Sequence, residues 1–131
     1  MTWHAGRLVD HIHLIVADLD RSRRFYTAVL DVLGIPVQSG TDHLQADELY
    51  ISGPVGEWSK VSHIHLAFQA ADEEMVRRFY AAGPDGGAPG ERPYHPGYYG
   101  AFVLDPDGNN IEAVFHGPAT RSAASVIIES A

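Results

Sequence analysis

The chain has 131 residues, 45% hydrophobic and 20% charged, which suits one compact domain or two small interdependent halves and excludes a large multidomain machine or a wholly disordered chain. Nine Lys and Arg against 17 Asp and Glu give a formal charge of -8, a field that repels phosphate backbones and anionic membranes, so neither nucleic acid nor a membrane is expected as partner. Cysteine is absent, which rules out disulfides, thiolate metal sites and a cysteine nucleophile and leaves His and carboxylates as metal donors.

Residues 1–10 hold no apolar core of signal-peptide length, and no window approaches the roughly 18 apolar residues of a membrane span, so a cytoplasmic protein is expected. Residues 8–16 are apolar and β-branched and read as a strand covered on both sides, with His11, His13 and Ile15 on one face and Ile12, Leu14 and Val16 on the other. Asp18 or Asp20 can then cap a helix whose apolar positions Leu19, Phe25, Val29, Leu30 and Leu33 recur at helical spacing, with Gly34 suited to its stop. Short strand-like runs fill residues 35–53 and end before Gly53 and Pro54, giving a βαβββ unit.

The same order recurs. The word HIHL stands at His11 to Leu14 and again at His63 to Leu66, and RRFY follows at Arg23 to Tyr26 and at Arg77 to Tyr80. The second half therefore predicts a strand over 61–69, a helix over 72–82, a strand near 98–104, a turn at Asp105-Pro106-Asp107-Gly108 and a strand over 109–115. Between Gly83 and Gly97 nine of fifteen residues are Gly or Pro, which reads as a shaped loop or lid. Residues 1–60 and 61–117 thus form two homologous modules, and the tail 118–131 carries an apolar run suited to an edge strand, a partner contact or a frayed end. Phe25, Tyr26, Phe79 and Tyr80 fall at one point of both helices and read as core.

Each module leaves one sheet face uncovered, and pairing them closes a cavity, with the faces of His11 and His63 meeting by pseudo-symmetry. Strand alternation does not choose between His11 and His13, nor between His63 and His65. Glu112, flanked by Ile111, Ala113, Val114 and Phe115, is a carboxylate in an apolar strand, and with Lys and Arg sparse in the strands a metal cation is its expected partner. Two imidazoles and one carboxylate with open positions suit a catalytic Fe(II), Mn(II) or Zn(II).

Asp10 to Leu19 with Arg24-Phe25-Tyr26, Ser62 to Leu66, and Phe102 to Glu112 together resemble the vicinal oxygen chelate superfamily, which includes glyoxalase I, thiol transferases, extradiol dioxygenases and metal-free bleomycin-binding proteins. The resemblance implies an α+β fold of two βαβββ modules paired into a half-open barrel around a metal site. It implies His11, His63 and Glu112 as ligands of a divalent ion, Fe(II) or Mn(II) first and Zn(II) or Ni(II) next, and a small substrate chelating through adjacent oxygens. It also implies a homodimer.

Tyr50 stands where glyoxalase I has its further ligand, with Glu48 two residues away, so three ligands fit better than four and the reaction leans to dioxygenase. Lyase, isomerase or thiol-transferase chemistry, or binding without catalysis, are the alternatives. His95 matches the acid–base histidine of the dioxygenases, Phe102 occupies their tyrosine position, and Tyr98 or Tyr99 can supply the phenol. His13, His65, Tyr50, Glu48 and Phe102 are expected to touch substrate.

Overall fold

The computed structural model describes residues 2–120 and 125–130. Strand β1 (Thr2–Ala5) precedes the first module, which runs β2 (Ile12–Ile15), α1 (Leu19–Val32), β3 (Gln38–Ser39), β4 (His43–Ala46) and β5 (Leu49–Ser52). The second module repeats the order as β6 (His65–Gln69), α2 (Glu73–Ala81), β7 (Asp85–Glu91), β8 (Tyr99–Leu104) and β9 (Asn110–Phe115), followed by β10 (Val126–Glu129). The sheets are ordered β2-β5-β4-β3 and β6-β9-β8-β7, and in each the first strand runs parallel to the last while the remaining pairs are antiparallel. The α+β pair of βαβββ modules expected from the repeat is present.

Local chemistry sets the ends of these elements. Asp18, rather than Asp20, caps α1 by accepting the Arg21 backbone N–H at 3.2 Å, and Asp72 caps α2 by accepting that of Met75 at 2.8 Å. Gly34 ends the first helical segment with a φ of 74°. In the Asp105 turn, the Gly108 N–H donates to the Asp105 carbonyl at 2.9 Å and Gly108 has a φ of 82°, a conformation open to glycine.

Several expectations change. The strands over 8–16 and 61–69 shorten to Ile12–Ile15 and His65–Gln69, because Leu8 (94% exposed) and Val61 (41%) find no apolar cover. The Gly/Pro segment is a loop only in its second half. Its first half is β7, a bulged edge strand, and an edge tolerates the residues that an interior strand excludes. Of the alternatives for the tail, the strand is realised: β10 pairs antiparallel with β1, Thr2 opposite Glu129.

The core forms between the helices and the inner sheet faces. Phe25, Tyr26 and Phe79 are buried as expected, with Leu14, Val16, Val29, Ile51, Val76, Val103 and Ile111 around them, and each such apolar side chain contributes about 1.5–3 kcal/mol. Polar contacts hold the modules together. The Tyr26 hydroxyl donates to Asp105 at 2.6 Å, and burial with this neighbour pushes the phenol pKa far upward. Ser62 donates its N–H to the Ile15 carbonyl at 2.8 Å and accepts the Ile15 N–H on Oγ at 2.9 Å. No helix among the described residues is long and apolar enough to cross a membrane.

Candidate functional site

Each sheet carries its own cleft, and in neither do the two modules' histidines come together. The N-terminal cleft, about 360 Å³, is lined by His4, Asp10, His11, His13, Gln45, Asp47 and Tyr50. His11 Nδ1 lies 2.6 Å from Asp10 Oδ1 on an exposed approach to β2. His13 Nε2 meets Ser52 Oγ at 2.7 Å, and its ring stands edge-on to Tyr50, whose other neighbour, His43, stacks at 5.1 Å. His43 in turn holds the Asp42 carboxyl below its usual range through a 2.7 Å hydrogen bond.

The C-terminal cleft, about 440 Å³, is lined by His65, Tyr94, Tyr98, Phe102, Asn110 and Glu112. Glu112 is 2% exposed, so its carboxylate has to be matched within the protein. Oε2 accepts the Tyr98 hydroxyl at 2.5 Å, and Oε1 lies 3.1 Å from His65 Nε2. Burial and Glu112 together push the Tyr98 pKa up to about 12, which makes it a hydrogen-bond donor at neutral pH and not a base. Glycine makes this geometry possible: a Cβ at Gly100 would stand 2.8 Å from Glu112 Oε2.

The state of His65 follows from its partners. Nδ1 faces the Asn110 carbonyl oxygen at 2.9 Å, and since a carbonyl only accepts, Nδ1 carries a proton. A neutral ring would then turn a bare Nε2 lone pair towards a carboxylate oxygen. The pair His65/Glu112 therefore shares a proton, carried by the ring or by the carboxyl, or binds a metal ion through both groups. The donor chemistry fits a divalent ion, but two donors fall short of the three that a catalytic ion of this kind takes. Among the described residues of one chain, no three His, Cys, Asp or Glu side chains are grouped to hold an ion.

The predicted residues separate accordingly. His65, Tyr98, Phe102 and Glu112 share one cleft, and His11, His13 and Tyr50 the other. His63 is exposed just ahead of β6, so in this structure the imidazole beside Glu112 is His65. Glu112 does not stand alone in its strand, because Tyr98 and His65 face it. Glu48 lies in the turn before β5, its carboxylate 3.9 Å from the Cβ position of Gly6, and lines neither cleft. Tyr99 points to the helix side, where Arg77 donates to its hydroxyl. His95 donates Nδ1–H to the Pro96 carbonyl and turns Nε2 to His116 Nδ1 at 2.9 Å, and it is not among the residues lining the C-terminal cleft.

Register identifies a residue that sequence reasoning missed. Leu14 pairs with Ile51 as Leu66 pairs with Ile111, so Ser52, not Tyr50, is the counterpart of Glu112. The shared Ile before each was the available signal.

The model of the Glyoxalase/Bleomycin resistance protein/Dioxygenase superfamily matches residues 8–113. The chain belongs to this superfamily. A superfamily structure described as a glyoxalase/bleomycin resistance protein, from Albidiferax ferrireducens T118, is 29% identical, with 82% of this chain and 98% of that one covered and a TM-score of 0.70. A glyoxalase-related enzyme from Fulvimarina pelagi (23% identity, 95% and 99% covered, TM-score 0.66) and the lactoylglutathione lyase of Agrobacterium tumefaciens (20%, 83% and 93%, 0.62) share the fold. No curated protein matches the sequence.

Proposed function

We propose that this superfamily member is a metal-dependent enzyme, acting as a homodimer on a small molecule that presents adjacent oxygens. The observation that carries the reading is the His65/Glu112 pair, an imidazole nitrogen and a buried carboxylate oxygen 3.1 Å apart in a cleft open to a ligand. The ion would be held by Glu112, by the imidazole of His63 or His65, and by His11 from the facing N-terminal cleft of a second copy. Two separate half-clefts, each short of donors, are what such a pairing would complete.

When bound, the ion would supply Lewis-acid stabilisation of charge developing on the substrate oxygens. The chain's own groups do the rest. Tyr98 donates a hydrogen bond from its hydroxyl to Glu112 Oε2 and keeps that oxygen occupied, which leaves Oε1 with His65 as the pair that faces the ligand. The Asn110 carbonyl holds the His65 Nδ1 proton and so fixes which ring nitrogen is turned to Glu112. Ser52 in place of a second carboxylate favours the three-ligand count, hence dioxygenase chemistry over the four-ligand glyoxalase I type.

The test is metal analysis of untagged protein beside Glu112→Gln, His63→Ala and His65→Ala, with oxygen uptake on catechol and loss of a glutathione hemithioacetal as assays. Stoichiometric metal that Glu112→Gln loses, with a dimer in sedimentation and oxygen uptake on catechol, is the expected result. The two histidine variants assign the imidazole. A second reading, sequestration of a small molecule without metal, is favoured by the lack of a three-donor cluster within the described single chain, and metal-free dimer with tight ligand binding would establish it over the first.

A further inference from the structure

A guanidinium stands beside the C-terminal cleft with no assigned task. The Arg92 side chain is half-buried and lies over the Phe102 ring, its central carbon 5.1 Å from the ring centroid, and Phe102 in turn lies 6.0 Å from the His65 ring. Its orientation is fixed by the backbone: one terminal nitrogen donates to the Ala88 carbonyl at 2.7 Å and the other to the Glu91 carbonyl at 3.3 Å. Neither contact neutralises it. Among the described residues no carboxylate forms an ion pair with Arg92. A guanidinium carries five N–H donors, so several remain for a ligand.

The surroundings are cut to leave it room. A Cβ at Gly90 would come within 3.2 Å of an Arg92 terminal nitrogen, and one at Gly87 within 2.7 Å of the Phe102 ring. The Arg92 N–H also donates to the Tyr98 carbonyl at 3.0 Å, which closes the loop of residues 92–98 and ties the guanidinium to the residue that holds Glu112.

We infer that Arg92 is the specificity residue of the C-terminal cleft, binding the carboxylate of a flat aromatic substrate whose ring lies among Tyr94, Tyr98 and Phe102. The inference rests on taking this cleft as the substrate site, though not on the metal or the reaction. Aromatic walls supply contact area, and a planar guanidinium pairs a carboxylate through two parallel hydrogen bonds. An anionic aromatic is thereby selected over its neutral isostere although the protein as a whole is acidic.

Benzoate and benzamide share a shape and differ in charge, need no metal, and therefore test the point directly by calorimetric titration. Wild-type protein is expected to bind benzoate about tenfold more tightly than benzamide, with the ratio falling to about one in Arg92→Gln while benzamide binding is unchanged. Arg92→Lys, which keeps the charge and loses the fork, should fall between, and it carries the test should Arg92→Gln melt early. Equal binding of the two probes, a ratio that survives in both variants, or no saturable benzoate binding would overturn the inference. Metal content and turnover of Arg92→Gln separate it from the functional reading: loss of benzoate preference with metal retained is expected, and a metal-free wild type would leave the benzoate ratio standing.

Discussion

In the N-terminal module His13 meets the hydroxyl of Ser52 at 2.7 Å, and in the C-terminal module His65, at the same point of the repeat, meets the carboxylate of Glu112 at 3.1 Å. The order of the sheets and the register of their parallel strand pairs agree, so at this point of the repeat the difference lies in one side chain and its consequences. A hydroxyl both donates and accepts and satisfies a neutral imidazole without help. A buried carboxylate beside an imidazole whose other nitrogen already donates needs a proton or a metal ion between them. The duplicated frame thus supplies one face able to hold a cation with a carboxylate and one face offering imidazoles, and the two are complementary rather than equivalent.

The largest way to break this comparison is to part the two modules. Asp105 is buried and accepts the Tyr26 hydroxyl, the Asn109 side chain and the backbone N–H groups of Asp107 and Asn109. Asp105→Ala leaves these donors without their acceptor, and a loss of about 3–5 kcal/mol is expected in urea unfolding. A variant within about 1 kcal/mol of wild type would mean that water replaces the carboxylate.

Next in size is Gly100→Ala. Its Cβ would meet Glu112 Oε2 at 2.8 Å and the Tyr98 ring at 3.3 Å, so one of the two must move. A cost of about 1–3 kcal/mol is expected, with loss of any metal held by Glu112, whereas Gly53→Ala in the other module, where the Cβ has 4.0 Å of room, should be nearly silent.

Tyr98→Phe sharpens the comparison through pH. A phenol whose pKa is raised from 10.0 to about 12 on folding contributes stability that is whole below pH 10 and is lost as pH rises through 12. Absorbance titration of wild type should show a phenol ionising near 12 that the variant lacks, and the variant's stability should fall less steeply between those pH values. Tyr26, pushed up more strongly by burial and Asp105, serves as the internal reference.

Ser52→Ala is the smallest. Removing a partly buried hydroxyl from His13 should cost about 1 kcal/mol in thermal unfolding and leave metal content and turnover unchanged. Substantial loss of metal would place the N-terminal pair on the ion's side and remove the asymmetry drawn between the modules.

Fold and site differed in how far they could be read beforehand. HIHL and RRFY words, the Asp caps and the Asp105 turn announced two βαβββ units, because capping, periodicity and turn formation are local. Glu112 stood out as acidic in an apolar strand, and Tyr98 and Phe102 as cleft residues. By contrast, β7 hid in a Gly/Pro run because tolerance of those residues depends on lying at a sheet edge, and β1 found its partner 121 residues away, as the His4 and Ser125 contact marks.

What the sequence determined by itself is therefore the duplicated module, since each unit's elements are specified by residues a few positions apart. What only the tertiary structure decided is which groups face one another: His65 rather than His63 beside Glu112, Ser52 as its counterpart, His95 turned to His116, and Arg92 set over Phe102. Alternation assigns a residue to a face of a strand and no further. Register between strands and the clearance left by a missing Cβ fix the contact, and both arise from chain segments distant in sequence.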